Sequence, residues 1–231
     1  MNLHEKERQH ATAVFAKMVA DKKAYKIKIL GKKIPVLPGV FSPKYSTDVK
    51  WFVKEVPKIV GKRSFLEIGT GTGIITLFVA LHGAKNIVAT DINRIAVKNA
   101  RRTFRLHGLR IPVRIGNVFA PVRRGKKFDV IFWNHPFHFS EEKPKSMLER
   151  GGYDHQYRSL RAFFAGAKKH LAPGGEVLLG TSKNARLDLV REFAREYSYR
   201  CTLLKQERIP SERRRGVKID VRIYSFSQKG S

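Results

Sequence analysis

The stretch from Ser64 to Gly73 constrains this chain more than any other. An apolar run, Ser64-Phe65-Leu66-Glu67-Ile68, breaks into Gly69-Thr70-Gly71-Thr72-Gly73 and passes into Ile74, Ile75, Leu77, Phe78 and Leu81 at helical spacing. A short buried-type strand, a glycine-rich turn and a helix, in that order, make the strand–loop–helix unit of a doubly wound α/β fold. Glycines in the turn let the backbone adopt positive φ and approach a ligand with no Cβ in the way. The spacing also discriminates among ligands. A dinucleotide loop reads G-x-G-x-x-G and sets a pyrophosphate on the helix N-terminus. This loop reads G-x-G-x-G and carries Glu67 two residues before it. A carboxylate there repels a pyrophosphate and suits a nucleotide-bearing ligand with an ammonium group. Eighteen residues after Gly73, the run Asn86-Ile87-Val88-Ala89-Thr90 ends in Asp91, placed to accept hydrogen bonds from ribose hydroxyls.

With both acids in place, these residues resemble the class I S-adenosylmethionine-dependent methyltransferases. Their first motif is similar to Glu67-Ile68-Gly69-Thr70-Gly71-Thr72-Gly73, and their second ends in an acid such as Asp91. The resemblance spans roughly Pro38 to Gln228. It implies an α/β, Rossmann-like sheet of seven strands, mostly parallel, with one antiparallel strand near its edge. It also implies S-adenosyl-L-methionine as cofactor, held by Glu67, Gly69, Thr70, Gly71, Gly73, Asp91 and Ile92. The next strand, Ile111 to Asn117, ends where the family usually has an Asp that meets the adenine. Asn117 stands there instead, and its amide can accept from the adenine amino group and donate to the neighbouring ring nitrogen. It joins the expected cofactor contacts.

A second stretch carries the chemistry. Phe128-Asp129-Val130-Ile131-Phe132-Trp133 reads as a strand ending in Asn134-His135-Pro136-Phe137-His138-Phe139, and residues just past a strand's carboxyl end line the crevice of an open α/β sheet. Methylating an amino group conjugated with a ring or carbonyl requires its lone pair to be freed. Two acceptors fixed on the two N–H bonds can hold the nitrogen in line with the methyl and stabilise the developing positive charge. Asn134 offers a side-chain carbonyl and His135 a backbone carbonyl. The stretch resembles the Asn-Pro-Pro-(Tyr/Phe) motif of the small-domain N-methyltransferases that act on exocyclic amines and amides. Followed by His138, it is closest to the form found in ribosomal RNA methyltransferases of guanine or adenine. The resemblance therefore assigns Asn134, His135, Pro136 and Phe137 to catalysis. His135 replaces the first proline and loses one fixed φ, although Pro136 still biases position 135 toward extended backbone. Phe137 supplies a flat apolar face for a flipped base or an amide.

Composition bears on the acceptor. The chain has 47 basic and 19 acidic residues among 231, a net charge of +28, which raises the local concentration of polyanions and makes their binding salt-dependent. RNA is the expected partner, most simply ribosomal or other structured RNA. The alternatives are a protein glutamine N-methyltransferase acting on a release factor, which shares the amide-directed motif, and a catalytically silent RNA-binding module with His135 as the mark of decay. Cys201 is the only cysteine, so neither an internal disulfide nor a cysteine-cluster metal site is expected. His135 and His138 lack an acidic or cysteine partner nearby, and no metal is expected. No apolar run reaches membrane-spanning length and the N-terminus has no signal-type apolar segment, so a soluble, cytoplasmic protein is expected.

The remaining chain divides into an N-terminal extension, residues 1–37, and a methyltransferase domain, residues 38–231. Residues 4–24 read as an amphipathic helix with Ala11, Val14, Phe15, Met18 and Val19 on one face. Tyr25–Leu30 and Ile34–Leu37 form a hairpin about a turn at Gly31-Lys32-Lys33. Ser46-Thr47-Asp48 opens a helix expected to close one side of the cofactor pocket. A helix over Asn93–His107 is expected to bury Ile95, Ala96, Val97 and Phe104, and another is expected from Asp154 to His170. A final antiparallel pair, Tyr199–Glu207 and Val217–Ser227, is joined by the charged loop through Arg213-Arg214-Arg215, a candidate phosphate contact.

Overall fold

The computed structural model of the protein describes residues 3–211 and 216–228, with side chains from Thr12 onward. In chain order the elements are α1 (Leu3–Ala20), β1 (Tyr25–Ile29), β2 (Lys32–Val36), α2 (Asp48–Val60), β3 (Ser64–Ile68), α3 (Ile74–Leu81), β4 (Lys85–Asp91), α4 (Arg94–Leu106), β5 (Val113–Ile115) and β6 (Phe128–Asn134). They continue with β7 (His138–Ser140), β8 (Tyr153–His155), α5 (Arg158–Ala167), β9 (Leu171–Ser182), α6 (Leu187–Glu196), β10 (Tyr199–Pro210) and β11 (Lys218–Gln228).

Seven strands form one sheet in the order β10-β11-β9-β6-β3-β4-β5. All neighbours run parallel except β11, which is antiparallel to both β9 and β10. The central strands are apolar on both faces because helices cover both. Phe65, Val130, Phe132 and Leu178 face a core shared with α2, α3 and α4. Their neighbours Leu66, Ile131, Trp133 and Leu179 face a second core with α5 and α6. From β3 the chain moves through β4 to β5 on one side and through β6 to β9 on the other, so the order reverses between β3 and β6. That reversal opens a crevice at the carboxyl ends of the strands.

The glycine loop is held by its neighbours. Gly73, at φ 80°, begins α3, and a Cβ there would stand 3.0 Å from the Ala100 Cα on α4. Gly73→Ala combines a left-handed conformation with a backbone clash, and is expected to cost about 2–4 kcal/mol in urea unfolding.

Several boundaries differ from the sequence reading for local reasons. The hairpin turns on Leu30 and Gly31, both at positive φ, and Lys32 already pairs with Ile29, so the turn is shorter and earlier than Gly31-Lys32-Lys33. Ile95 is exposed, and the buried side of α4 instead includes Asn99 and Thr103. Asn99 Nδ2 donates to the Pro35 carbonyl at 2.8 Å and Thr103 Oγ1 to the Thr72 carbonyl at 2.6 Å, satisfying polar groups that periodicity alone places outside. Val19 on α1 is exposed, while Phe15 and Met18 are buried; the Ala11 side chain lies outside the described residues. The helix expected from Asp154 starts at Arg158, because the Asp154 carboxylate accepts from the backbone N–H of Ser159 (3.1 Å) and Leu160 (2.9 Å) and residues 153–155 pair with β7 instead. Arg213–Arg215 lie outside the described residues. Among the described residues, no helix is long and apolar enough to cross a membrane.

Candidate functional site

A cavity of about 620 Å³ opens over the carboxyl ends of β3, β4 and β6. It brings together Glu67, Gly69, Thr70, Gly71, Asp91, Ile92, Asn117, Asn134, His135, Pro136 and Phe137; of the expected cofactor and catalytic residues, only Gly73 lies outside its wall. Gly73 acts through packing, as described above.

Glu67 is the penultimate residue of β3 and its side chain is buried. Its Oε2 accepts from Thr70 Oγ1 at 2.6 Å and also from Thr76 Oγ1. Burial pushes this carboxyl up to about 7, the nearby Asp91 charge adds to the rise, and the two threonine hydroxyls oppose it. Thr70 thus spends its hydroxyl on Glu67, and its N–H donates to the Thr90 carbonyl at 2.9 Å. Asp91 is bound into the loop by both oxygens: Oδ2 accepts from the Gly71 N–H and Oδ1 from the Asn93 N–H, each at 2.8 Å. Burial raises its pKa, and these backbone donors oppose the shift. Each carboxylate oxygen has a second lone pair for a ligand hydroxyl. Asn117 lies exposed at the rim past β5, with its carbonyl accepting from Ala120 N at 2.9 Å.

The stretch after β6 is built differently from its sequence image. Asn134 pairs in register with Gly180 of β9, where a Cβ would stand 3.2 Å from the Asn134 Oδ1. That oxygen is buried without a hydrogen-bond partner. The Asn134 amide is one of the donors that favour the charged form of Asp48, whose pKa burial nevertheless raises. His135 is fully enclosed: Nε2 lies 2.9 Å from Thr181 Oγ1, and the ring packs edge-on against Trp133, Phe137 and Tyr157. Burial lowers its pKa to about 3, so the imidazole is neutral at physiological pH. The ring therefore fills space that a proline would leave partly empty. His135→Pro strands the buried Thr181 hydroxyl and opens a cavity, with an expected loss of about 2–4 kcal/mol in thermal or urea unfolding.

Three contributors to this wall had no clear signal in the sequence. Asp48, at the start of α2, is buried and is held by the Ser46 hydroxyl. Residues 138–155 leave the sheet and return as the parallel pair β7 and β8, a small excursion that also lines the cavity. Phe15 of α1 packs against Phe41 and Tyr153 at ring distances of 6.0 and 5.5 Å, and a Cβ at Gly152 would clash with its ring. The expectation that the helix opened by Ser46-Thr47-Asp48 closes one side of the pocket agrees with the placement of Ser46, Thr47, Asp48 and Val49 on its wall.

Asp48, Glu67, Asp91 and Asp154 are four buried carboxylates on one cavity, and none forms an ion pair among the described residues. A buried, unpaired carboxylate is costly, and a cationic ligand offsets that cost. The fold and the site together define a doubly wound domain for a nucleoside cofactor with cationic groups. The chain belongs to the methyltransferase small-domain family, which matches residues 32–201.

Relatives extend this assignment. The chain is 32% identical over 157 residues to ribosomal RNA small subunit methyltransferase C of Mannheimia succiniciproducens, covering 67% of this chain and 43% of that protein. It is 37% identical over 119 residues to a proposed protein N5-glutamine methyltransferase of Methanocaldococcus jannaschii, covering 52% and 58%. The chain thus spans about half the length of the curated relatives it matches. Among solved structures, the T. thermophilus 16S rRNA N2 G1207 methyltransferase in complex with AdoMet and guanosine superposes with a TM-score of 0.62 at 21% identity, over 90% of this chain and 50% of that one. At that identity the likeness speaks to the fold.

Proposed function

We propose that this protein is an S-adenosylmethionine-dependent N-methyltransferase acting on an exocyclic amino group of guanine or adenine in RNA, ribosomal or otherwise structured. The observation that carries the proposal is the meeting, in one cavity, of buried carboxylates without ion pairs, Asp48, Glu67 and Asp91 among them, with an Asn134 side-chain oxygen that has no partner in the protein. S-adenosylmethionine supplies an activated methyl group on a sulfonium. Glu67 faces the ammonium end of such a ligand, Asp91 takes ribose hydroxyls with the lone pairs left free by Gly71 and Asn93, and Asn117 meets the base at the rim. Asn134 Oδ1 accepts one N–H of the target amino group, the His135 carbonyl accepts the other, and Phe137 stacks on the base. Asp48 favours an Asn134 orientation that keeps the amide N–H away from the acceptor, so its carbonyl is left for the substrate.

The +28 charge favours RNA over a protein acceptor, since an amide-bearing peptide needs no such field. The likeness to ribosomal RNA small subunit methyltransferase C points the same way. The glutamine reading is favoured by one relative, of which about half of this chain is the match. Incubation with methyl-labelled S-adenosylmethionine, total RNA, ribosomal proteins and release factors separates these readings. Label in RNA is expected; label in protein would move the assignment to glutamine, and label in neither would leave a silent binding module.

A further inference from the structure

Two adjacent residues that are not glycine, Gln156 and Tyr157, sit at φ 50° and 48°, in the left-handed region. L-residues are strained there, and such strain persists only where the surroundings impose it. Tyr157 is completely buried. Its ring packs edge-on against His135 at 5.8 Å and Phe139 at 5.4 Å. Its hydroxyl donates to the Phe137 carbonyl at 2.6 Å and accepts from the Arg186 N–H at 3.1 Å.

Those two partners belong to different segments beside the cavity. Phe137 is in the turn after β6, and Arg186 closes the loop after β9 that brings Ser182 and Asn184 to the cavity. In the sheet order, β9 lies beyond β6 from β3 and β4, which carry Glu67 and Asp91. The half of the cavity bounded by these two turns is therefore the half away from the cofactor acids. A continuous helix from Asp154 would place residue 157 within its first turn. The left-handed pair instead delays α5 to Arg158 and leaves Tyr157 under the β6 turn.

We infer that Tyr157 is a positioning residue: its hydroxyl ties the turn carrying Phe137 to the loop after β9, and so fixes Phe137 against the methyl acceptor. This rests on the methyltransferase reading above. No proton or bond changes hands at Tyr157; it acts through Phe137. The strain at 156–157 is the structural consequence of bringing a single oxygen to both loops.

Tyr157→Phe tests it, because the ring stays and one oxygen leaves. With unmodified small-subunit ribosomal RNA transcribed in vitro as acceptor, kcat/KM is expected to fall about 10- to 100-fold, the scale of a misplaced acceptor. Calorimetric affinity for S-adenosylmethionine is expected to change less than about twofold, since Glu67 and Asp91 are untouched. In a Phe137→Ala background the effect of Tyr157→Phe is expected to vanish, because the group being positioned is gone. Native-state hydrogen exchange supplies a readout independent of turnover. The Arg186 amide is expected to exchange at least about tenfold faster in Tyr157→Phe, with the neighbouring Val190 amide unchanged. In the wild-type protein it is expected to be strongly protected, which tests the bridge even if the variant does not fold. Additive losses in the double variant, full kcat/KM in Tyr157→Phe, or an unprotected Arg186 amide would overturn the inference. If Phe137→Ala itself kept full kcat/KM, the stacking role assigned under the proposed function would be the part that fails.

Discussion

Asn134→Ala is expected to lower single-turnover methyl transfer by about 10²–10³, the scale for losing one preorganised group at a charge that develops in the transition state. The loss should fall on the chemical step. Asn134 ends β6, whereas Glu67 and Asp91 lie toward the carboxyl ends of β3 and β4, so calorimetric affinity for S-adenosylmethionine should remain within about twofold. Stability should fall only modestly, because losing the amide donor to buried Asp48 is offset by removing a buried acceptor that has no partner in the protein, an unsatisfied atom that costs about 1–3 kcal/mol. A catalytic loss far out of proportion to the stability loss separates a functional group from a packing one. Retention of full turnover would mean that methyl transfer is organised elsewhere in the cavity.

The legibility of this chain follows from the range of the interactions involved. The strand–loop–helix unit at Ser64–Leu81 was readable because its signals are local: an apolar run, three glycines and a helical period within one segment. The seven-stranded, mostly parallel sheet with one antiparallel strand was legible through the family resemblance. Asp48 was read only as part of a helix start, and nothing local indicates that it meets Asn134, a residue far along the chain. The excursion at 138–155 escaped because its two strands are only three residues long and pair with each other, leaving no usable period. Ile95 was misplaced because buried polar groups, Asn99 and Thr103, hold the inner face of α4 through hydrogen bonds that a hydrophobic pattern cannot register. Thr70 lines the cavity while its hydroxyl serves Glu67, a pairing that residue type alone does not reveal.

Glu67→Gln carries the second large expectation, and its sign differs with and without cofactor. Burial raises the Glu67 carboxyl from 4.5 to about 7 in the folded protein. A raised folded-state pKa means that the stability linked to this group is fully present below about pH 4.5 and is lost as pH rises through about 7. The loss amounts to roughly 3 kcal/mol when complete. Gln has the same shape, can still accept from Thr70 and Thr76, and has no charge to bury. The cofactor-free variant should therefore be more stable than wild type in urea at pH 8–9, by up to about 3 kcal/mol, and similar to it near pH 5. Binding should show the reverse. A cationic amino group needs the ionised carboxylate, so wild-type affinity should climb as pH rises toward about 7, then decline where the ligand's own α-amino group, with a pKa of about 7.7–8.0, loses its charge. Glu67→Gln should bind S-adenosylmethionine about 10- to 100-fold more weakly at pH 7.5, the scale of about 1.5–3 kcal/mol for a charge-assisted hydrogen bond, and should lack the rising limb. The comparison of the two proteins cancels titrations they share, such as that of Asp48, while Asp91 differs only through the loss of its neighbour's charge. If calorimetry gave both the same affinity and the same rise with pH, Glu67 would not be the partner of the ammonium group, and the charge that compensates it would have to come from elsewhere in the ligand.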